Sequence, residues 1–271
     1  MKLQLCEHSF RLTSVAASSA IVFPSLRDLT ILGSYPFGDD LPFRGNATAL
    51  ESLCIAVTRD VYTILNRHSV FTPVSHPKLR RVSIKQPANG ILSHFDSLRS
   101  YMNFVLEIAP SASERQFLGT SSWEGLTLVL DMLQNHDNIQ ILALPGIIFG
   151  FWEVASLIEW LPVLSELHCL STVLGPMYED VAPEDNMARL QAFKDLARTR
   201  FRRWHIGCNM GVFLKFAVPC VLQLALVCPS FDCVSLPTSL HDEFMTLLEE
   251  AIESGEYAGD EPRLRLLLLK E

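Results

Sequence analysis

Histidine, cysteine and carboxylate side chains are the groups with which this chain of 271 residues could hold a metal or attack a bond. It has eight histidines, seven cysteines and 30 acidic residues with which to do so. His205 and Cys208 stand three apart, with His168-Cys169, Cys220, Cys228 and Cys233 elsewhere. A closed zinc site usually contains a CxxC pair, and these spacings supply none. Core cysteines behave as small hydrophobes, and Cys169 falls on an inner strand position, so the sequence predicts neither metal nor cofactor. A cysteine or serine nucleophile needs a histidine and a third group that orients it. No GxSxG elbow, HExxH helix, P-loop or GxGxxG turn occurs. The chain is therefore not expected to be an enzyme; the alternative, a hydrolase on an α/β fold, would show one Cys or Ser labelled by activity probes. The paired carboxylates Asp39-Asp40, Glu179-Asp180 and Glu184-Asp185 lie in Gly/Pro-rich stretches and read as solvated turn residues. The insertion from Gly175 to Asp185 is a long loop of the kind that sits at a binding face.

The elements that would position such groups announce themselves by repetition. The pattern LxxLxL recurs as Leu26, Leu29, Ile31; Leu50, Leu53, Ile55; Leu79, Val82, Ile84; Ile139, Leu142, Leu144; Leu164, Leu167, Cys169; Phe201, Trp204, Ile206; Val221, Leu224, Leu226; and Leu264, Leu267, Leu269. Phe23-Pro24-Ser25, His76-Pro77-Lys78 and Leu161-Pro162-Val163 lead into three of these copies. A proline two residues ahead of the first leucine stops a helix and starts an extended segment. First positions follow one another at intervals of 24, 29, 60, 25, 37, 20 and 43 residues. The repeat length typical of leucine-rich repeats is about 20 to 29. The interval of 60 implies an eroded unit near Ala112 to Phe117, and Leu3 and Leu5 imply a strand at the N-terminus.

Between the strands lies helical periodicity. It links Phe95, Leu98, Met102, Val105 and Ile108 before Pro110; Trp152, Ala155, Ile158 and Trp160 before Pro162; and Met187, Leu190, Phe193 and Leu196. A fourth set joins Leu240, Phe244, Leu247, Leu248 and Ile252, with Ser239 as N-cap and Gly255 as the stop. Strand then helix, repeated, predicts an α/β leucine-rich-repeat solenoid of irregular repeats. Parallel strands would form its concave face and helices its convex face. Residues 1–271 form one degenerate domain in this reading, and the apolar strand Leu264 to Leu269 at the C-terminus suggests truncation at one or both ends.

Composition narrows the partners. With 49% hydrophobic residues the chain is too apolar to be disordered. A formal charge of −8 and the lack of a Lys/Arg-rich run argue against nucleic acid and anionic membranes. Arg198, Arg200, Arg202 and Arg203 read as the exposed approach to a strand, with Phe201 and Trp204 turned inward. Gly211 to Cys228 is interrupted by Lys215, Pro219 and Gln223 and is not read as membrane-spanning. An odd number of unevenly spaced cysteines suits a reducing cytoplasm or nucleus.

At Phe23-Pro24-Ser25-Leu26-Arg27-Asp28-Leu29-Thr30-Ile31, at His76-Pro77-Lys78-Leu79 and at Leu161-Pro162-Val163-Leu164-Ser165-Glu166-Leu167, the chain resembles fungal leucine-rich-repeat proteins of the F-box type. The resemblance covers most of the chain. It implies a role in selecting substrates for a Skp1-cullin ubiquitin ligase, although no F-box is legible ahead of Leu26. The chain also departs from the standard repeat, which carries Asn or Cys three residues after the last strand position. Ser34, Thr58, Pro87, Ile147, Thr172 and Pro229 stand there instead, and only Asn209 matches.

Alternation along each strand predicts the exposed face. It would carry Asp28, Thr30, Arg81, Ser83, Lys85, Ile141, Glu166, His168, Arg203 and His205 in successive rows. The functional expectation is a monomeric, non-catalytic scaffold that binds a protein partner on that face.

Overall fold

The computed structural model describes residues 2–6, 24–32, 47–56, 74, 76–85, 106–107, 109–117, 131–134, 136–173, 198–207 and 214–254. The chain divides into two compact units, residues 1–119 and 120–271. Both are mixed or pure stacks of parallel strands laid down in sequence order, and each has its own buried row of side chains.

In the first unit β1 (Lys2–Cys6), β2 (Asp28–Leu32), β3 (Ser52–Ala56), β4 (Arg81–Lys85) and β5 (Glu114–Phe117) pair in parallel, each with the next. Two-residue alternation decides which side each residue faces. One register row runs through Leu29, Leu53, Val82 and Arg115, and a second includes Ile31, Ile55 and Phe117; all of these are buried. Between them run Asp28, Ser52, Arg81 and Glu114, then Thr30, Cys54, Ser83 and Gln116. Most of these keep some exposure.

β5 occupies the eroded unit anticipated near Ala112 to Phe117. Its motif reads Ala112, Arg115, Phe117, so an arginine holds an inner position. Arg115 is 1% exposed, and its Nη2 donates to the Ala109 carbonyl. Burial lowers its pKa to about 10, which leaves it charged at neutral pH.

In the second unit β6 (Ile141–Gly150), β7 (Glu166–Val173), β8 (Arg203–Ile206) and β9 (Cys233–Ser235) pair in parallel. Leu142, Leu167 and Trp204 share a fully buried row, followed by Leu144, Cys169 and Ile206. Trp204 Nε1 donates to Cys169 Sγ at 3.2 Å, which satisfies the indole inside the core. Phe231 stacks on Phe201 at 5.6 Å and meets Trp204 edge-on. Helix α1 (Phe151–Trp160) packs on β6, α2 (Leu214–Val227) on β7, and α3 (His241–Glu253) on α2. Helix α3 buries Phe244, Leu248 and Ile252 at intervals of four, a single apolar stripe.

Among the described residues one turn precedes six of the nine strands. Leu50 N–H donates to Ala47 O, Leu79 to His76, Ala112 to Ala109, Ile139 to His136, Leu164 to Leu161 and Phe231 to Cys228. Proline at the second position of such a turn has its φ preset, and it occupies that place at Pro77, Pro110, Pro162 and Pro229. The acceptors then form a staircase. Arg27 O takes the N–H groups of Glu51 and Ser52, and Glu51 O takes those of Arg80 and Arg81. In the second unit Gln140 O, Ser165 O and Arg202 O play the same part for the strand that follows each of them.

Several sequence expectations need correction. Val221, Leu224 and Leu226 are not a strand but lie in the 14-residue helix α2, which is mostly buried; a short apolar run of this kind suits either element by periodicity alone. The strand of that region is β9, led in by Phe231. Ser239 does not cap α3: it sits in the 3₁₀ turn Thr238–Leu240, and Leu240 occupies the cap position. Ile147 and Thr172 do not lie three residues beyond a strand but within one, because β6 continues to Gly150 through a register shift between Leu144 and Ile148, and β7 continues to Val173. Asp39-Asp40, the insertion from Gly175 to Asp185, the helix set Met187 to Leu196, Asn209 and Leu264 to Leu269 lie outside the described residues. Among the described residues no helix is long and apolar enough to cross a membrane.

Candidate functional site

The β7 sequence Glu166-Leu167-His168-Cys169 and the β8 sequence Arg203-Trp204-His205-Ile206 follow the same alternation, polar outward and apolar inward. Parallel pairing sets Glu166 beside Arg203 and His168 beside His205. Because the inner residues Leu167, Cys169, Trp204 and Ile206 are locked in the core, the four polar side chains have little freedom to leave the opposite face. The lead-in turn through Pro162 fixes where β7 begins, and Ser165 O receives the N–H groups of Arg202 and Arg203 to fix β8 against it.

The result is a tight cluster. The His168 and His205 rings are stacked, with centroids 3.9 Å apart and planes 8° from parallel. His168 Nε2 lies 3.9 Å and His205 Nε2 3.6 Å from the same oxygen of Glu166, Oε2. The other oxygen, Oε1, is 3.5 Å from Arg203 Nη1. Side-chain exposure is 36% for His168, 24% for Glu166 and 27% for His205, so the cluster is half-buried on the face away from the fully buried row. Burial pushes the His168 pKa down to about 4; neighbouring His205 pushes the same way and Glu166 opposes. Burial also lowers that of His205, against the pull of Glu166. Both imidazoles are therefore neutral at pH 7, each with a nitrogen lone pair available as acceptor or ligand.

Every residue of the predicted face that can be placed sits on a strand at an alternating position. Asp28 and Thr30 are on β2, and Arg81, Ser83 and Lys85 on β4; the side chain of Lys85 lies outside the described residues. Ile141 is on β6 beside Glu166, which is beside Arg203. The structure thus brings Ile141, Glu166, His168, Arg203 and His205 together. Asp28 and Arg81 are separated by Ser52, and Thr30 and Ser83 by Cys54.

Sequence reasoning omitted Glu114 and Gln116, which complete the face of the first unit. Arg81 Nε donates to Glu114 Oε2 at 2.6 Å, and Ser83 Oγ to Gln116 Oε1 at 2.8 Å. Pro110, two residues ahead of Ala112, was the available signal for that strand.

Glu166, His168 and His205 offer three metal-capable atoms within 4.8 Å of one another, a grouping that the His205/Cys208 and His168-Cys169 spacings of the sequence do not disclose. His168 and Glu166 lie two apart on one strand, but His205 joins them only through the β7–β8 register. No family model matches the chain, and no match is found among the curated proteins.

Proposed function

We propose that this chain is a non-catalytic scaffold of leucine-rich repeats that binds another protein through the exposed face of its strands. The observation that carries the reading is a recurring backbone unit, a turn followed by a parallel strand, with the strands laid down in sequence order. Such units cannot bury their apolar side singly and stack into a shared core, and the strand face left over is the customary contact surface of repeat stacks. Here that face carries mixed charge and hydrogen-bonding side chains, including Asp28, Arg81, Glu166 and Arg203, which suits a polar protein surface better than a phosphate backbone. Substrate selection for a Skp1-cullin ligase is the specialised form of the same reading and differs in requiring a Skp1-binding element.

The test is affinity purification of the tagged chain in parallel with an Arg81→Ala/Glu166→Ala variant of unchanged circular dichroism. Proteins held by the parent chain and released by the variant are expected, and recovery of Skp1 and a cullin among them would select the ligase form. An identical set of bound proteins for both chains contradicts the assignment of this face.

A further inference from the structure

We propose that Glu166, His168 and His205 form a binding site for a divalent transition-metal ion of the zinc class, on the strand face of the second unit. The site goes beyond protein docking and does not depend on it.

The donor set is two imidazole nitrogens and one carboxylate oxygen, all from the paired strands β7 and β8. Borderline ions such as Zn²⁺ take this combination, whereas Mg²⁺ and Ca²⁺ prefer oxygen alone. Zinc bonds of about 2.0 to 2.1 Å in a tetrahedron place ligand atoms roughly 3.3 Å apart. The two nitrogens stand 3.6 and 3.9 Å from Glu166 Oε2, a few tenths of an ångström from that requirement. Swinging the two stacked rings out of parallel would converge their lone pairs on the same point, and the partial exposure of both leaves room to do so.

Two further features fit a ligand. His205 Nε2 is shielded from solvent, and the Glu166 carboxylate it faces stands at 3.6 Å, too far for a well-formed hydrogen bond. A shielded polar atom held this loosely is costly to keep, and a metal ion between it and the carboxylate would satisfy both. Glu166 is also divided in its attachments: Oε1 faces Arg203 and Oε2 faces the imidazoles. Arg203 thereby orients the carboxylate in the way that outer partners orient metal ligands. Three protein ligands on a half-exposed face leave a fourth position on the solvent side, for water or a donor from a bound molecule.

The experiment uses the full chain, stripped with a chelator and dialysed, titrated with zinc alone by calorimetry and with cobalt(II) by absorption. Expected are one saturable site per chain, visible cobalt bands without the near-ultraviolet band of thiolate ligation, and affinity weakened more than about tenfold in His168→Gln and in His205→Gln, since even outer-shell changes reach that size. No saturable binding, a thiolate band, or unchanged affinity in both variants overturns the site. Should either variant fail to fold, the parent chain's cobalt spectrum still decides between nitrogen/oxygen and thiolate ligation.

Discussion

His76 supplies the acceptor carbonyl of the turn before β4 while its own side chain is 1% exposed. Burial lowers its pKa below the ordinary 6.5, so the folded chain holds it neutral where the unfolded chain would protonate it. The unfolded state then binds the extra proton, and stability present above pH 6.5 declines as the pH falls below it. The urea midpoint of the parent chain should drop between pH 7.5 and 5.5, and that drop should be smaller in a folded His76→Gln variant. An equal drop in both chains would show that His76 does not carry the linkage. Arg115 teaches a different lesson at this scale. A buried arginine at a leucine position eroded the apolar triplet of β5 without displacing the strand, and its Nη2 is met inside by the Ala109 carbonyl.

Strands were legible in the sequence at most of the apolar triplets, whether a proline led in, as at Leu79 and Leu164, or not, as at Leu50, Ile139 and Phe201. They were weakly marked or misplaced elsewhere. Ala112 and Phe231 each follow a proline by two residues, but neither heads a leucine triplet. Val221, Leu224 and Leu226 form the triplet two residues after Pro219, but the spacing also satisfies a helix, and all of them lie in α2. Replacing the 60-residue gap by the Ala112 lead-in gives intervals of 33 (79 to 112) and 27 (112 to 139), nearer to the rest. Element-scale packing is tested by Leu142, which is fully buried in the row with Leu167 and Trp204. Leu142→Ala should cost about 2–5 kcal/mol through the lost burial and the cavity left behind. Ile141→Ala, one residue away on the half-exposed face, should cost a small fraction of that. Equal midpoints for the two variants in urea would mean that the alternation of β6 is wrong.

The whole molecule presents a net charge of −8, two compact units with separate apolar rows, and strand faces of mixed polarity. Two-residue alternation made part of the strand face readable in advance, although Glu114 and Gln116 were not named and Ser83 is buried. The metal-capable grouping was not readable, since it depends on which strand lies beside β7 and at what register. The docking claim is tested most directly by photo-crosslinking, with a photoreactive amino acid placed at Arg81 or Arg203 on the strand face or at Glu249 on α3, all exposed. The account predicts adducts to the same partner protein from the two strand-face positions and none from Glu249; adducts from Glu249 alone, or from no strand-face position while a partner still co-purifies, would contradict it.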